Sequence, residues 1–226
     1  FPHHAGDDRG DDQNPDHQLI ELTQKPPPGG DRRLFGQLVV AMYRAELGDL
    51  QAQLVAARQL PEPILRLMRM LPAGDPSTGS GSPRAGSRGD GMDLLRTLTS
   101  ALGHYDPDAT DRSPQANDRK AVRLTSQISS LVATMGRLAA GGGPIQPDPV
   151  LGHAANFLYM LTGERPSGLA TRAFDVALVL HADHELNAST FAARVAAATL
   201  TDIHSAIVGA IGALKGPLHG GANADV

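Results

Sequence analysis

The chain has 226 residues, with 20 Lys and Arg against 24 Asp and Glu, and a formal net charge of −4; this offers no basic footprint for nucleic acid. It has no cysteine, which excludes a disulfide framework and a thiolate zinc site. No apolar run approaches the ~18 residues of a membrane helix, and the first residues lack the basic-then-apolar order of a secretion signal.

Hydrophobic residues make up 41% of the chain and aromatics only 4%, with no Trp. An interior of Ala, Leu and Val suits closely packed helices. A cytoplasmic protein without nucleic-acid or membrane partners is expected.

Residues 1–30 carry Asp7-Asp8, Asp11-Asp12, Pro26-Pro27-Pro28 and Gly29-Gly30 with almost no apolar periodicity. They are expected to form a disordered N-terminal segment, because too little surface can be buried to offset ordering entropy. From Leu34, the steps Leu34, Leu38, Ala41, Met42, Ala45 and then Leu47, Leu50, Leu54, Ala57 follow helical spacing. Pro61 and Pro63 break the stripe, with Pro63 suited to open the next helix, whose inner face is Ile64, Leu67 and Met68. Ser77 to Gly91 reads as a flexible insertion rich in Gly and Ser. Met92 to His104 resumes helix with Leu94, Leu95, Leu98 and Leu102 inward. Ser113-Pro114 supplies a cap and a first-turn proline for a helix whose face is Ala121, Leu124, Ile128, Leu131, Val132 and Met135. Gly141-Gly142-Gly143-Pro144 closes it.

The remaining block is the densest. Asn156 to Thr162 is a short apolar helix stopped by Gly163. Ser167 caps the next, through Ala173, Phe174, Ala177, Leu178 and Leu180 to His181, and its apolar sides predict deep burial. Asn187-Ala188-Ser189-Thr190 reads as an interruption before a helix over Phe191 to Leu200, and Thr201-Asp202 starts another over Ile203 to Leu214. Gly209 and Gly212 within the last are costly in a lone helix, which predicts a neighbouring backbone against them. Nothing alternates with a period of two. The fold class is all-α, an orthogonal multi-helical array with a buried helix.

Two clusters carry potential chemistry. In His181-Ala182-Asp183-His184-Glu185-Leu186-Asn187-Ala188-Ser189-Thr190, two imidazoles, two carboxylates, an amide and two hydroxyls follow an apolar helix. They can bind an anion or move a proton, or they can cap the surrounding helices and satisfy one another. The spacing His-x-x-His-Glu is neither zincin order, so no metal is expected. The second cluster is Gly216-Pro217-Leu218-His219-Gly220-Gly221-Ala222-Asn223. It sets one imidazole between a proline-rigid turn and a glycine pair, where backbone can approach a ligand; a plain surface turn has the same composition. It lacks the order of a phosphate loop, and no Gly-x-Ser-x-Gly elbow supports a serine hydrolase. His153 and His204, with no motif around them, read as helix-end or packed imidazoles.

These residues resemble the citrate synthase family. The similarity is carried by Gly152-His153-Ala154-Ala155-Asn156-Phe157-Leu158-Tyr159-Met160-Leu161-Thr162-Gly163, by Asp175 through Arg194, and by Ile211 to Asn223. A weaker similarity covers Leu60 to Leu71, Met92 to Asp108 and Asp111 to Arg123. The resemblance implies an acyltransferase that condenses acetyl-coenzyme A with oxaloacetate to citrate and coenzyme A, with no cofactor beyond acetyl-coenzyme A as substrate and no metal. It implies that His219 stabilises the enol of the acyl donor, that His184 holds oxaloacetate, and that His181 and Asn187 line the same pocket. It further implies a homodimer, with the Ala- and Gly-rich helices 191–214 in an intersubunit bundle. Residues 31–226 are then a partial large helical domain. The family's aspartate base, its other oxaloacetate ligands and its Tyr-Arg-Gly-Tyr-type N-terminal motif have no counterpart here, so a fragment with impaired turnover is expected. Ser129-Ser130 stands where the family tends to have proline. The same motifs serve 2-methylcitrate synthases, which use propionyl-coenzyme A, and a non-catalytic dimerisation module is the alternative from another class.

Overall fold

The computed structural model describes residues 48–71, 91–182 and 186–220. Segment 1–30, the stripe from Leu34 to Ala45, the Ser77 stretch up to Asp90, and His184 lie outside the described residues. Gln51–Val226 form one compact unit, and Phe1–Leu50 form another, of which only 48–50 are described.

Every regular element among the described residues is helical. Within the larger unit residues 51–56 are helical. There follow α1 (Glu62–Met70), α2 (Gly91–Leu102) running into a 3-10 turn at Gly103–Tyr105, and the long α3 (Pro114–Ala139). Next come α4 (His153–Thr162), α5 (Gly168–Leu180), α6 (Ala188–Ala198) and α7 (Ile203–Leu214).

The helix starts are set by short polar side chains. Ser113, Ser167, Asn187 and Asp202 each accept a bond from the backbone N–H three residues on, which satisfies a donor the helix cannot and contributes roughly 1 kcal/mol. α4 ends at Gly163 in the left-handed region, φ 85°. Four starts differ from the sequence reading: α2 begins at Gly91, not Met92, α4 at His153, not Asn156, and α1 and α6 shift as well. α1 begins at Glu62, so Pro63 sits second. α6 begins at Ala188, not Phe191, because Asn187 is a cap and not a break; Ser189 and Thr190 are thereby helical.

Leu60, Ile64, Leu65, Met68, Leu94, Leu98, Leu102 and Leu131 form the core. Burying each such side chain contributes roughly 1.5–3 kcal/mol. α3 crosses this core on a face that the apolar pattern placed only in part. Leu124 and Leu131 are inward, but Ala121 and Val132 face out, while Lys120, Ser126, Ser130 and Thr134 are buried. The reason is hydrogen bonding across the packing. Ser126 Oγ donates to Leu54 O at 2.6 Å, Ser130 Oγ to Arg58 O at 2.9 Å, and Lys120 Nζ to Asp111 O at 2.5 Å. Ser126, Ser130 and Lys120 thus each reach a backbone carbonyl outside α3, while Thr134 Oγ1 donates to Ser130 O of its own helix. The Arg58 guanidinium continues the seam, donating from one nitrogen to Asp148 O and Leu151 O ahead of α4. A Cβ on Gly136 of α3 would lie 2.6 Å from Leu161 Cδ1, so glycine there leaves room for the Leu161 side chain of α4.

α7 runs antiparallel to α2. His204 at its start lies against Gly103, where an added Cβ would be 3.3 Å from the His204 Cβ. At its far end Lys215 Nζ donates to Asp93 Oδ2. α6 and α7 form an antiparallel hairpin through Thr199–Asp202, in which Leu200 takes φ 62°.

Two expectations are overturned within this unit. α5 is apolar, but none of its residues is buried: Leu169 is 80% exposed, and Val179 and Leu180 are each 69% exposed. Gly209 and Gly212 of α7 have no atom within 4 Å of where a Cβ would stand. Apolar periodicity reports that a face favours cover, not that the same stretch of chain supplies it. The contact that α5 does make is the stack of Phe174 on Phe157 of α4, with centroids 4.7 Å apart.

The start of α7 is seated in a charged cluster. Arg123 donates to both oxygens of Asp106, at 2.6 and 3.2 Å, and to Asp108; Arg119 also holds Asp108, whose carboxyl is kept far below the usual range by these two guanidinium partners. His204, 3% exposed, points Nε2 toward Asp106 Oδ2 at 3.5 Å and Nδ1 toward Asp202 Oδ1 at 3.9 Å. Burial lowers its pKa; Asp106 and Asp202 oppose this, and Lys120 and Arg123 reinforce it. A depressed folded-state pKa means that the unfolded chain takes the proton more readily. The contribution of neutral His204 is therefore full above ~pH 6.5 and declines as pH falls below that value. Urea midpoints measured at pH 7.5 and 5.5 should drop toward acid in the wild-type chain and drop less in His204→Gln. Equal drops would remove His204 from the account.

Candidate active site

An antiparallel hairpin of two helices with 11 and 12 residues has arms of nearly equal length, since each residue rises 1.5 Å. The start of α6 must then lie beside the end of α7. This brings residues thirty positions apart together: His219 Nε2 is 3.0 Å from Ser189 Oγ.

The loop that carries His219 is folded back on the helix it leaves. Gly216 N donates to Ala213 O at 3.1 Å and His219 N to Gly216 O at 2.9 Å, a tight turn around Pro217. A Cβ on Gly220 would stand 2.6 Å from Leu214 Cδ1 and 2.8 Å from Leu214 O. The second atom is backbone and cannot swing away, so glycine at 220 is a steric requirement.

Ser189 links the imidazole to the cap of α6. Its hydroxyl donates to Asn187 Oδ1 at 2.8 Å, and that same oxygen accepts from Thr190 N at 2.8 Å. A serine hydroxyl has one proton. When it goes to Asn187, Oγ is left to accept from His219 Nε2–H. When it turns to His219 Nε2, the imidazole proton is carried on Nδ1, and Asn187 keeps Thr190 as its donor. One rotation of a hydroxyl thus sets the tautomer of His219.

Of the residues singled out from the sequence, His219 and Asn187 are joined through this one hydroxyl. Asn187 does so as the cap of α6. His181 is the C-cap of α5, exposed, with Nδ1 2.7 Å from Ala177 O of its own helix. His184 lies outside the described residues. His153 opens α4, half-buried, its pKa lowered first by burial and then by Arg58. Ser189 was not singled out by sequence reasoning, which counted it only as one of two hydroxyls in a break. The signal that could have found it is the Asn-x-x-Thr cap together with the matched lengths of α6 and α7. Among the described residues, no group of three His, Asp or Glu is placed to hold a metal ion, and no helix is long and apolar enough to cross a membrane.

Residues 35–226 match the family model described as the C-terminal domain of citrate synthase. The chain is 56% identical over 135 residues to "Citrate synthase 2" of Bacillus subtilis, covering 60% of this chain and 36% of that protein. It is 40% identical over 215 residues to "2-methylcitrate synthase" of Mycobacterium tuberculosis, covering 91% of this chain and 51% of that protein. The structure resembles the crystal structure of citrate synthase from Pyrobaculum aerophilum with a TM-score of 0.67 at 37% identity, covering 79% of this chain and 43% of that one. The chain thus spans about half, or less, of the length of these relatives.

The hydroxyl link is open to direct test. In Ser189→Ala, nitrogen NMR shifts of the His219 ring should move toward the tautomer mixture of a free histidine peptide; an unchanged pattern would show that Ser189 does not hold the ring. Gly220→Ala should lose about 1–3 kcal/mol, the range for forcing a group into filled space, read as a lower urea midpoint.

Proposed function

Because the chain belongs to the citrate synthase family, we propose that it supplies the acyl-donor side of a site that condenses acetyl-coenzyme A with oxaloacetate to citrate and free coenzyme A. The observation that carries this reading is the His219–Ser189–Asn187 chain at the open end of the α6–α7 hairpin. In the reaction the acetyl methyl group loses a proton, and negative charge grows on the thioester oxygen. His219 answers that charge by donating from Nδ1 once the Ser189 hydroxyl has turned from Asn187 Oδ1 to donate to Nε2. A ring held in place before the charge develops needs no reorganisation when it does, and one such donor is worth roughly 10²–10³ in rate. His184 and His181, on the segment that leads into α6, are read as holding oxaloacetate. The reading calls on no metal.

A second acyl donor is favoured by a specific finding, the similarity across 91% of the chain to a protein named 2-methylcitrate synthase. The donors differ by one methyl group, which a pocket discriminates by roughly 10–200-fold. A homodimer is part of the same reading. Leu169, Val179 and Leu180 of α5, Phe191 and Val195 of α6, all exposed, and the uncovered glycines of α7 make a surface that a second copy would cover.

Release of coenzyme A from acetyl- and propionyl-coenzyme A, each with oxaloacetate, tests the assignment on the natural gene product. Citrate formation predicts a higher kcat/KM for the acetyl donor, and His219→Gln is expected to lower kcat with either donor by about 10²–10³. Retention of turnover in His219→Gln would sink the role given to that ring. Sedimentation of the same product should give twice the monomer mass, and Val179→Asp should lower it.

A further inference from the structure

Among the described residues, the loop that bears His219 is anchored at the imidazole and also at its root. Lys215, the C-cap of α7, donates from Nζ to Asp93 Oδ2 at 2.5 Å, across 122 positions of sequence. Asp93 stands in the first turn of α2 and is also paired with Arg96 Nη2 at 3.0 Å. An anion at a helix start and a cation at a helix end are each favoured by the peptide dipoles. Here the start of α2 and the end of α7 meet, so one contact satisfies both.

The root of the loop depends on such a contact. Gly212 and Gly216 flank Lys215, and glycine is among the poorest helix formers. The last turn of α7 is closed by Lys215 N to Ile211 O at 3.0 Å and Gly216 N to Ala213 O at 3.1 Å, bonds that fray readily at a glycine-rich end. Only three residues separate Lys215 from His219, so fraying there reaches the ring directly.

We propose that Asp93 is a positioning residue for His219, holding the loop root through Lys215 while Ser189 holds the ring. The consequence for catalysis rests on the role given to His219 above; the tether itself does not. Lys215 and Asp93 side chains are 34% and 35% exposed. An ion pair of that exposure commands at most about a fivefold change in a local equilibrium, and this sets the size of the effect.

The test uses the 226-residue chain and the rate at which diethyl pyrocarbonate acylates His219, resolved from the other histidines by peptide mass mapping. Asp93→Asn and Lys215→Met should each raise that rate about two- to fivefold. The double variant should raise it no further, because both changes break the same contact. Lys215→Arg should stay within the wild-type rate. His104 and His153, away from the loop, should react as before in every variant, which separates loss of positioning from general loosening. An unchanged His219 rate in the single variants, an additive double variant, or parallel acceleration at His104 and His153 would each overturn the proposal. An error in the role of His219 would surface elsewhere, as retained turnover in His219→Gln, and would leave these acylation rates as stated.

Discussion

The His219–Ser189 contact depends on α7, the helix that delivers His219, being held at both ends. A hydrogen bond at 3.0 Å tolerates little drift, and the helix that delivers His219 has Gly209 and Gly212 on an uncovered side. Besides its pairing with α6, it is held from the α2 side. His204 packs on Gly103 and sits among Asp106, Asp202, Lys120 and Arg123 at one end; Lys215 pairs with Asp93 at the other. Clamped at both ends, α7 presents its C-terminal loop at a fixed height beside the cap of α6.

The frame beneath that clamp is held by polar groups to an unusual degree for an apolar-looking chain. Ser126, Ser130 and Thr134 line the buried face of α3 and each donates to a backbone carbonyl. Such bonds add little net energy when made, but their loss strands a buried acceptor at a cost of about 1–3 kcal/mol. The bonds from Ser126 and Ser130 specify how α3 lies on segment 54–58 more than they add to its burial. The Ser130 hydroxyl is engaged with Arg58 O at 2.9 Å.

The outer face tells a different story. α5 and α6 have no buried residue, although both are rich in Ala, Leu and Val. Large apolar side chains left in water are a standing incentive to association. The chain also spans about half, or less, of the length of its relatives.

Local chemistry was legible from the residues alone. Ser113, Ser167 and Asp202 were readable as caps because a cap acts within three residues of itself, and the all-helical class followed from periodicity and composition. The family followed from residues quoted around His153, His184 and His219. What tertiary structure decided was everything that depends on a partner distant in sequence. Apolar spacing on α5 could not say that none of its residues would be buried. The pattern on α3 could not say that Lys120 and three hydroxyl residues turn inward, since the carbonyls that receive Lys120, Ser126 and Ser130 come from other segments. Asn187 read as a break because an amide oxygen that caps and one that ends a helix look alike in a string of letters. Ser189 gained its place beside His219 only when two helices of nearly equal length folded back on each other, and Asp93 met Lys215 only when α2 and α7 lay antiparallel. Short-range bonds are written into neighbouring residues; contacts between helices exist only once packing has chosen which faces meet.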